Sequence, residues 1–153
     1  VEKGFKNSLE KGVLAGYPLL DVKVILNDGA FHAVDSSAVA FATAARAAYR
    51  QTIPKASPQL MERIMKVAVF VPEDHVGDVI GDLNRRRGLI GGMDANASGK
   101  VATAEGPLAE MFGYATDLRS ATQGRATYTM EFAKYMEAPS NIAQEIISKN
   151  QTN

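Results

Sequence analysis

The side chains able to do chemistry in this 153-residue chain are few and scattered. There are two histidines, His32 and His75, and no cysteine. Thiolate metal sites and disulfides are therefore excluded, and two histidines so far apart in sequence do not make a histidine-based metal set. A phosphate loop of the G-x-x-x-x-G-K-[ST] type is absent, because Gly99-Lys100 lacks the upstream glycine and lies in a turn pattern. The G-x-S-x-G nucleophile elbow is absent too. Gly88-Leu-Ile-Gly91-Gly92 has the glycines of a dinucleotide loop, but it follows a helix and leads into a strand, the reverse of the order that fingerprint needs. No residue is expected to be catalytic, and no metal or cofactor is expected to bind this chain.

What remains are three surfaces. Arg85, Arg86 and Arg87 suit the C-terminal end of a helix, where positive charge meets the dipole, and equally suit contact with RNA phosphates. Asp28-Gly-Ala-Phe-His32 reads as a hairpin tip, and Phe31 and His32 beside a glycine could also stack on nucleobases. The run Arg119-Ser-Ala-Thr-Gln-Gly-Arg125 is either a helix cap or a patch of donors suited to phosphate oxygens. Net charge is zero, with 17 basic and 17 acidic residues, which argues against a dedicated polycationic nucleic-acid binder but allows local basic patches.

The elements that position these residues follow from periodicity. Residues 1–12 read as a helix stopped by Gly12, with Val1, Phe5 and Leu9 at a spacing of four. Leu20–Leu26 alternates as a half-buried strand, Asn27-Asp-Gly29 is a hairpin-type turn, and Ala30–Val34 is its return strand. Asp35, Ser36 and Ser37 are N-cap candidates for an alanine-rich helix from Ala38 to about Ile53, small enough on one face to sit close to a sheet. Pro54-Lys-Ala-Ser-Pro58 marks a domain boundary. A β-branched strand, Arg63–Val71, precedes a helix opened by Pro72-Glu-Asp, with Val76, Val79, Ile80 and Leu83 buried. Leu89–Ala95 and Lys100–Glu105 are strands around the turn Asn96–Gly99. Pro107–Gly124 reads as one helix, with Leu108, Met111, Phe112, Ala115 and Leu118 inward and Gly113 in mid-helix, where a glycine costs about 1 kcal/mol. A close approach to the sheet or to a neighbouring domain would account for that glycine. Ala126–Ala133 is a fourth strand, with Tyr128, Met130 and Phe132 on one face, and Pro139–Lys149 a terminal helix, with Ile142, Ile146 and Ile147 inward.

From position 63 the order β-α-β-β-α-β predicts an α+β, ferredoxin-like domain, a four-stranded antiparallel sheet with both helices on one face. The helix-strand-strand-helix before it looks incomplete, and because Val1 falls within a helical pattern the chain is expected to begin inside a domain. No apolar run reaches 18 residues, so no transmembrane helix and no membrane partner are expected. There is no signal-peptide pattern, and cysteine-free composition fits a reducing cytoplasm.

Several stretches resemble a known family. Asp78-Val-Ile-Gly-Asp-Leu-Asn-x-Arg86-Arg87-Gly88, then Pro107-Leu-Ala-Glu-Met-Phe-Gly-Tyr-Ala-Thr-Asp-Leu-Arg-Ser-x-Thr-Gln-Gly-Arg125, then Met130-Glu-Phe132 resemble the last domain of bacterial translation elongation factor G. Pro18-x-x-Asp21-Val-Lys-Val, Asp28-Gly29, His32 and Val34-Asp-Ser-Ser37 resemble the end of the domain before it. The resemblance covers nearly the whole chain in the family's order. It implies that residues 1–56 are the end of domain IV, a partial segment like domain 2 of ribosomal protein S5. It implies that residues 57–153 are domain V with a C-terminal helix.

The resemblance further implies a ribosomal partner. Domain IV of the family reaches the decoding region of the small subunit, with His32 at its tip, and acts there on tRNA and mRNA. Domain V faces large-subunit rRNA at the sarcin-ricin and stalk-base regions and packs near other domains of the parent. GTP and magnesium belong to an N-terminal GTPase domain upstream of this segment, so the chain alone is expected to have no activity. Contact residues carried by the resemblance and the surfaces together are Asp28, Gly29, Phe31, His32, Arg85, Arg86, Arg87, Arg119, Ser120, Thr122, Gln123 and Arg125. The sequence departs from the family pattern at Ala126 (usually Gly), Gly106 (usually Val), Ala38 (usually an acid) and His75 (usually Tyr). These departures leave a ribosome-recycling paralogue or a ribosomal-protection relative as alternatives, alongside a free-standing ferredoxin-like interaction module.

Overall fold

The computed structural model describes residues 1–151, and these divide into two compact units. One comprises Val1–Leu60 together with the described residues from Ala138 on, and the other Met61–Glu137.

In the first unit, α1 (Glu2–Leu9) packs on α2 (Ala38–Thr52), which continues as a 3-10 turn, Ile53–Ala56. Ser37 is the N-cap, its hydroxyl accepting from Ala40 N–H at 3.1 Å. The small face of α2 meets a helix here, not a sheet. A Cβ on Gly4 would stand 2.8 Å from the Ala42 carbonyl oxygen and 2.9 Å from Ala45 Cβ, so only glycine allows this approach. Phe5 and Tyr49 meet edge to face, and the Tyr49 hydroxyl donates to the Lys11 carbonyl at 3.0 Å. The terminal helix α5 (Ser140–Gln151) is tied to this unit by Asn150, whose amide donates to the Ala15 carbonyl at 3.1 Å.

The expected hairpin over residues 20–34 is not formed as strands. Leu20, Val24, Ile25 and Leu26 are exposed, and Val34 is 94 % exposed. An isolated two-stranded hairpin is marginal unless a third strand or a helix covers its apolar face, and among the described residues none does.

The second unit is the expected ferredoxin-like fold. Its strands are β1 (Met61–Val71), β2 (Leu89–Asn96), β3 (Gly99–Pro107) and β4 (Thr127–Glu137), antiparallel in the order β2-β3-β1-β4. Val67, Val69 and Val71 of β1 are fully buried on one face, against Val79 and Leu83 of α3 (Val76–Arg85) and Leu118 of α4 (Tyr114–Thr122). Val76 packs against this core half-buried. Ala133 is an extra residue in β4, between the pairs Ile64–Lys134 and Met65–Phe132.

The stretch after Pro107 differs from the single helix expected. Strand β3 runs through Pro107, Leu108–Glu110 is a 3-10 turn, and α4 starts only at Tyr114. Gly113 is the N-cap residue with φ +74°, a left-handed conformation that glycine adopts without penalty, and nothing lies within 4 Å of where a Cβ would be. Within this chain its role is to reverse the backbone, not to permit a close approach to the sheet. The inward face is accordingly Tyr114, Leu118 and Thr122, one turn apart, whereas Phe112 and Ala115 are exposed.

Gly4→Val should overpack the α1–α2 contact and cost about 1–3 kcal/mol in urea unfolding. Gly81→Ala, in the interior of α3 with open space at its Cβ position, should instead stabilise by about 0.5–1 kcal/mol.

Candidate nucleic-acid interface

The three consecutive arginines have three different environments. Arg85 is 75 % exposed and pairs with Asp82 one turn back. Arg86 is buried. Its Nε donates to Asp82 Oδ2 at 3.0 Å, and its Nη1 to the Glu110 and Phe112 carbonyls at 2.6 and 3.1 Å. Nη2 donates to Asp117 Oδ2, and the guanidinium lies 5.2 Å from the Tyr114 ring centroid. Its Nε edge is thus turned back to α3, and its two Nη groups to the 3-10 turn and the start of α4. Arg87 sits at φ +59° just past α3, where a side chain other than glycine is strained. A fork onto Glu62, at 3.2 and 2.6 Å, holds it there and keeps the guanidinium firmly charged, with Glu110 Oε1 3.5 Å from Nε.

The run 119–125 follows from how α4 ends. Gln123 and Gly124 both have left-handed φ, +54° and +76°, and the Gly124 N–H donates to the Arg119 carbonyl at 2.9 Å. Thr122 points inward and is fully buried. Its hydroxyl donates to the Leu118 carbonyl at 2.7 Å and accepts from Ala126 N–H at 3.2 Å, fixing the exit of the helix. Arg119, Ser120 and Gln123 face solvent. Arg125, half exposed, donates to Asp74 Oδ2 at 3.0 Å and contacts His75 Nε2 at 2.5 Å, which ties the end of α4 to the turn before α3. That hydrogen bond from Arg125 holds the Asp74 carboxyl below its ordinary range. Ser120 and Arg85 come together on an open groove of about 650 Å³ between α3 and α4, together with Gly77, Asp78 and Gly81.

Asp28–His32 belongs to the other unit. Asp28 Oδ1 accepts from Gly29 N–H at 2.7 Å, and Phe31 is 71 % exposed. The His32 N–H donates to Ser36 Oγ at 2.8 Å, and its carbonyl accepts from Asp35 and Ser36 N–H at 3.1 and 2.8 Å. The exposed Phe-His pair thus sits on a closed turn leading into the Ser37 cap.

Sequence reasoning missed Asp82, Asp117 and Tyr114 as the setting of Arg86. Starting the helical face at Tyr114 would have shown the stripe 114-118-122. No cluster of three or more potential metal ligands occurs among the described residues.

Residues 59–146 match the family model described as elongation factor G C-terminus, and residues 1–57 match that described as elongation factor G, domain IV. The chain belongs to the elongation factor G family. It is 62 % identical over 151 residues to elongation factor G 1 of Methylococcus capsulatus, and 61 % over 149 residues to elongation factor G 1 of Colwellia psychrerythraea. Those alignments cover 99 % and 97 % of this chain but only 22 % and 21 % of the relatives, so the chain spans about a fifth of their length. A crystal structure from Thermus thermophilus superposes with a TM-score of 0.88 at 41 % identity, covering 99 % of this chain and 23 % of that one. The ferredoxin-like unit is thus the framework on which an elongation factor G chain fixes the 119–125 edge.

Arg86→Ala should strand the Glu110 and Phe112 carbonyls, leave Asp117 unpaired and cost about 3 kcal/mol or more in urea unfolding, with Arg86→Lys recovering only part because an ammonium cannot fork. Tyr114 gives a pH test. Burial, then the nearby Asp82 charge, pushes its hydroxyl up to about 12, and that hydroxyl has no hydrogen-bond partner among the described residues. Stability contributed by the neutral phenol is complete below about pH 10, the unfolded value, and is lost as pH rises toward 12. Tyr114→Phe should therefore be neutral or stabilising at pH 7 and should flatten the alkaline fall in stability, read by chemical unfolding across pH 8–11.5 (roughly the range in which tyrosine titrates).

Proposed function

We propose that this chain is the ribosome-contacting C-terminal part of a translational GTPase that drives GTP-dependent translocation of tRNA and mRNA. GTP and magnesium would be handled by a domain outside this segment, and the setting would be the cytoplasm. The observation that carries the reading is the 119–125 edge: Arg119, Ser120 and Gln123 exposed at a rigid helix end, in a chain of the elongation factor G family. Donors so placed suit phosphate and sugar oxygens of rRNA shape, and no base readout is required. In this reading the edge faces the sarcin-ricin and stalk-base regions of the large subunit. The Asp28–His32 turn, with Phe31 and His32 outward, faces the decoding region of the small subunit. Arg85, paired with Asp82 but 75 % exposed, is the member of the arginine triplet within reach of such contacts, since Arg86 is buried and Arg87 is forked onto Glu62. No helix among the described residues is long and apolar enough to cross a membrane.

Co-sedimentation with ribosomes across a salt series tests this. Association should weaken steeply with salt, and the Arg119→Ala/Gln123→Ala double variant should weaken it further without unfolding the chain. In the full-length parent, His32→Ala should slow translocation while leaving ribosome-stimulated GTP hydrolysis largely intact. Salt-independent sedimentation, or equal loss of both activities, would contradict the assignment.

A further inference from the structure

One cluster lies outside every surface used above. At the edge of the sheet, the end of β4 pairs with the start of β1, so that Tyr135 stands opposite Arg63 and Phe132 opposite Met65. The Phe132 and Tyr135 rings lie 5.2 Å apart at 58°, each about half exposed, at 51 % and 48 %. The Arg63 guanidinium lies 5.9 Å from one ring centroid and 5.8 Å from the other, and its Nη2 donates to the Tyr135 hydroxyl at 3.2 Å. Among the described residues Arg63 makes no ion pair, whereas Arg85, Arg86, Arg87 and Arg125 each do.

We infer that Arg63, Phe132 and Tyr135 form a stacking platform for unpaired nucleotides of RNA. Two exposed rings held apart by a tilt offer π-faces to a base. A guanidinium with no carboxylate partner, oriented by a single hydroxyl, is available for the adjoining phosphate. The one charged member of the three is the Arg63 cation, which favours a polyanion over an apolar protein segment. Aromatic side chains on the strands of a four-stranded antiparallel sheet are a recurrent way of seating bases. The platform is separate from the 119–125 edge and from the Asp28–His32 turn, and the inference does not depend on the translocation reading.

The test titrates the chain with oligouridylate and oligoadenylate of about eight nucleotides, at low salt, by tyrosine fluorescence and NMR shifts. The chain has no tryptophan, so the tyrosine signal is unobscured. Saturable binding is expected, with Tyr135 among the perturbed residues. Arg63→Ala and Phe132→Ala should each bind about tenfold more weakly. Phe112→Ala, which removes a ring 77 % exposed on another surface, should bind as the unsubstituted chain does. Circular dichroism should be the same for all variants. No oligonucleotide binding, unchanged affinity in Arg63→Ala, or equal loss in Phe112→Ala would overturn the proposal. So would binding of an apolar peptide, but not RNA, that Phe132→Ala abolishes; that result would assign the patch to a protein partner. Because ribosome co-sedimentation through the 119–125 edge is measured separately, failure here leaves that result standing, and the reverse.

Discussion

The structure of the ferredoxin-like unit depends on one buried cation. Arg86 joins the end of α3 to the turn after β3 and to the first turn of α4, through Asp82, two backbone carbonyls, Asp117 and the face of Tyr114. A charge this deeply placed is tolerated because each of its three nitrogens is hydrogen-bonded and two carboxylates face it. In the segment it grips, the Glu110 and Phe112 carbonyls accept from the guanidinium, and the chain there is a 3-10 turn and not a continuation of α4. Gly113 then supplies the left-handed residue from which α4 can start in a new direction. The Arg119–Arg125 edge, at the other end of this short helix, inherits its orientation from that start.

The second fixed point is the exit of α4. Thr122 closes the helix from inside, with one hydrogen bond back to Leu118 and one forward to Ala126. Ala126 stands where the family resemblance leads one to expect glycine, yet its N–H makes the bond that caps the exit, and its side chain packs half-buried on the core. A methyl group is therefore accommodated at the position where backbone approach seemed most sensitive. His75, the other departure near this edge, meets Arg125 and helps join it to the turn before α3.

Much of this architecture was legible in the sequence. The period-2 run of valines in β1 and the acids opening the turn before α3 needed no tertiary information, and neither did the order of elements that specifies the antiparallel sheet. The misreadings have a common cause. In Pro107–Gly124, apolar residues at helical spacing outweighed the glycine, although Gly113 was the more reliable sign because its cost in a helix interior had no evident return. In residues 20–34, alternation was correctly seen, but alternation states which face a strand would bury, not whether a partner strand is present. For the candidate site, residue type identified the exposed arginines but could not separate Arg85 from Arg86. That distinction lies in Asp117 and two carbonyls far along the chain.

The central proposal is that the α4 end and the Asp28–His32 turn are where this chain would meet the ribosome. Hydrogen–deuterium exchange of the chain with and without ribosomes tests it most directly. The account predicts new protection at amides of residues 119–125 and 28–32, with the β1–β3 core unchanged because it is already closed. Protection that leaves both stretches unaltered and appears elsewhere would contradict it.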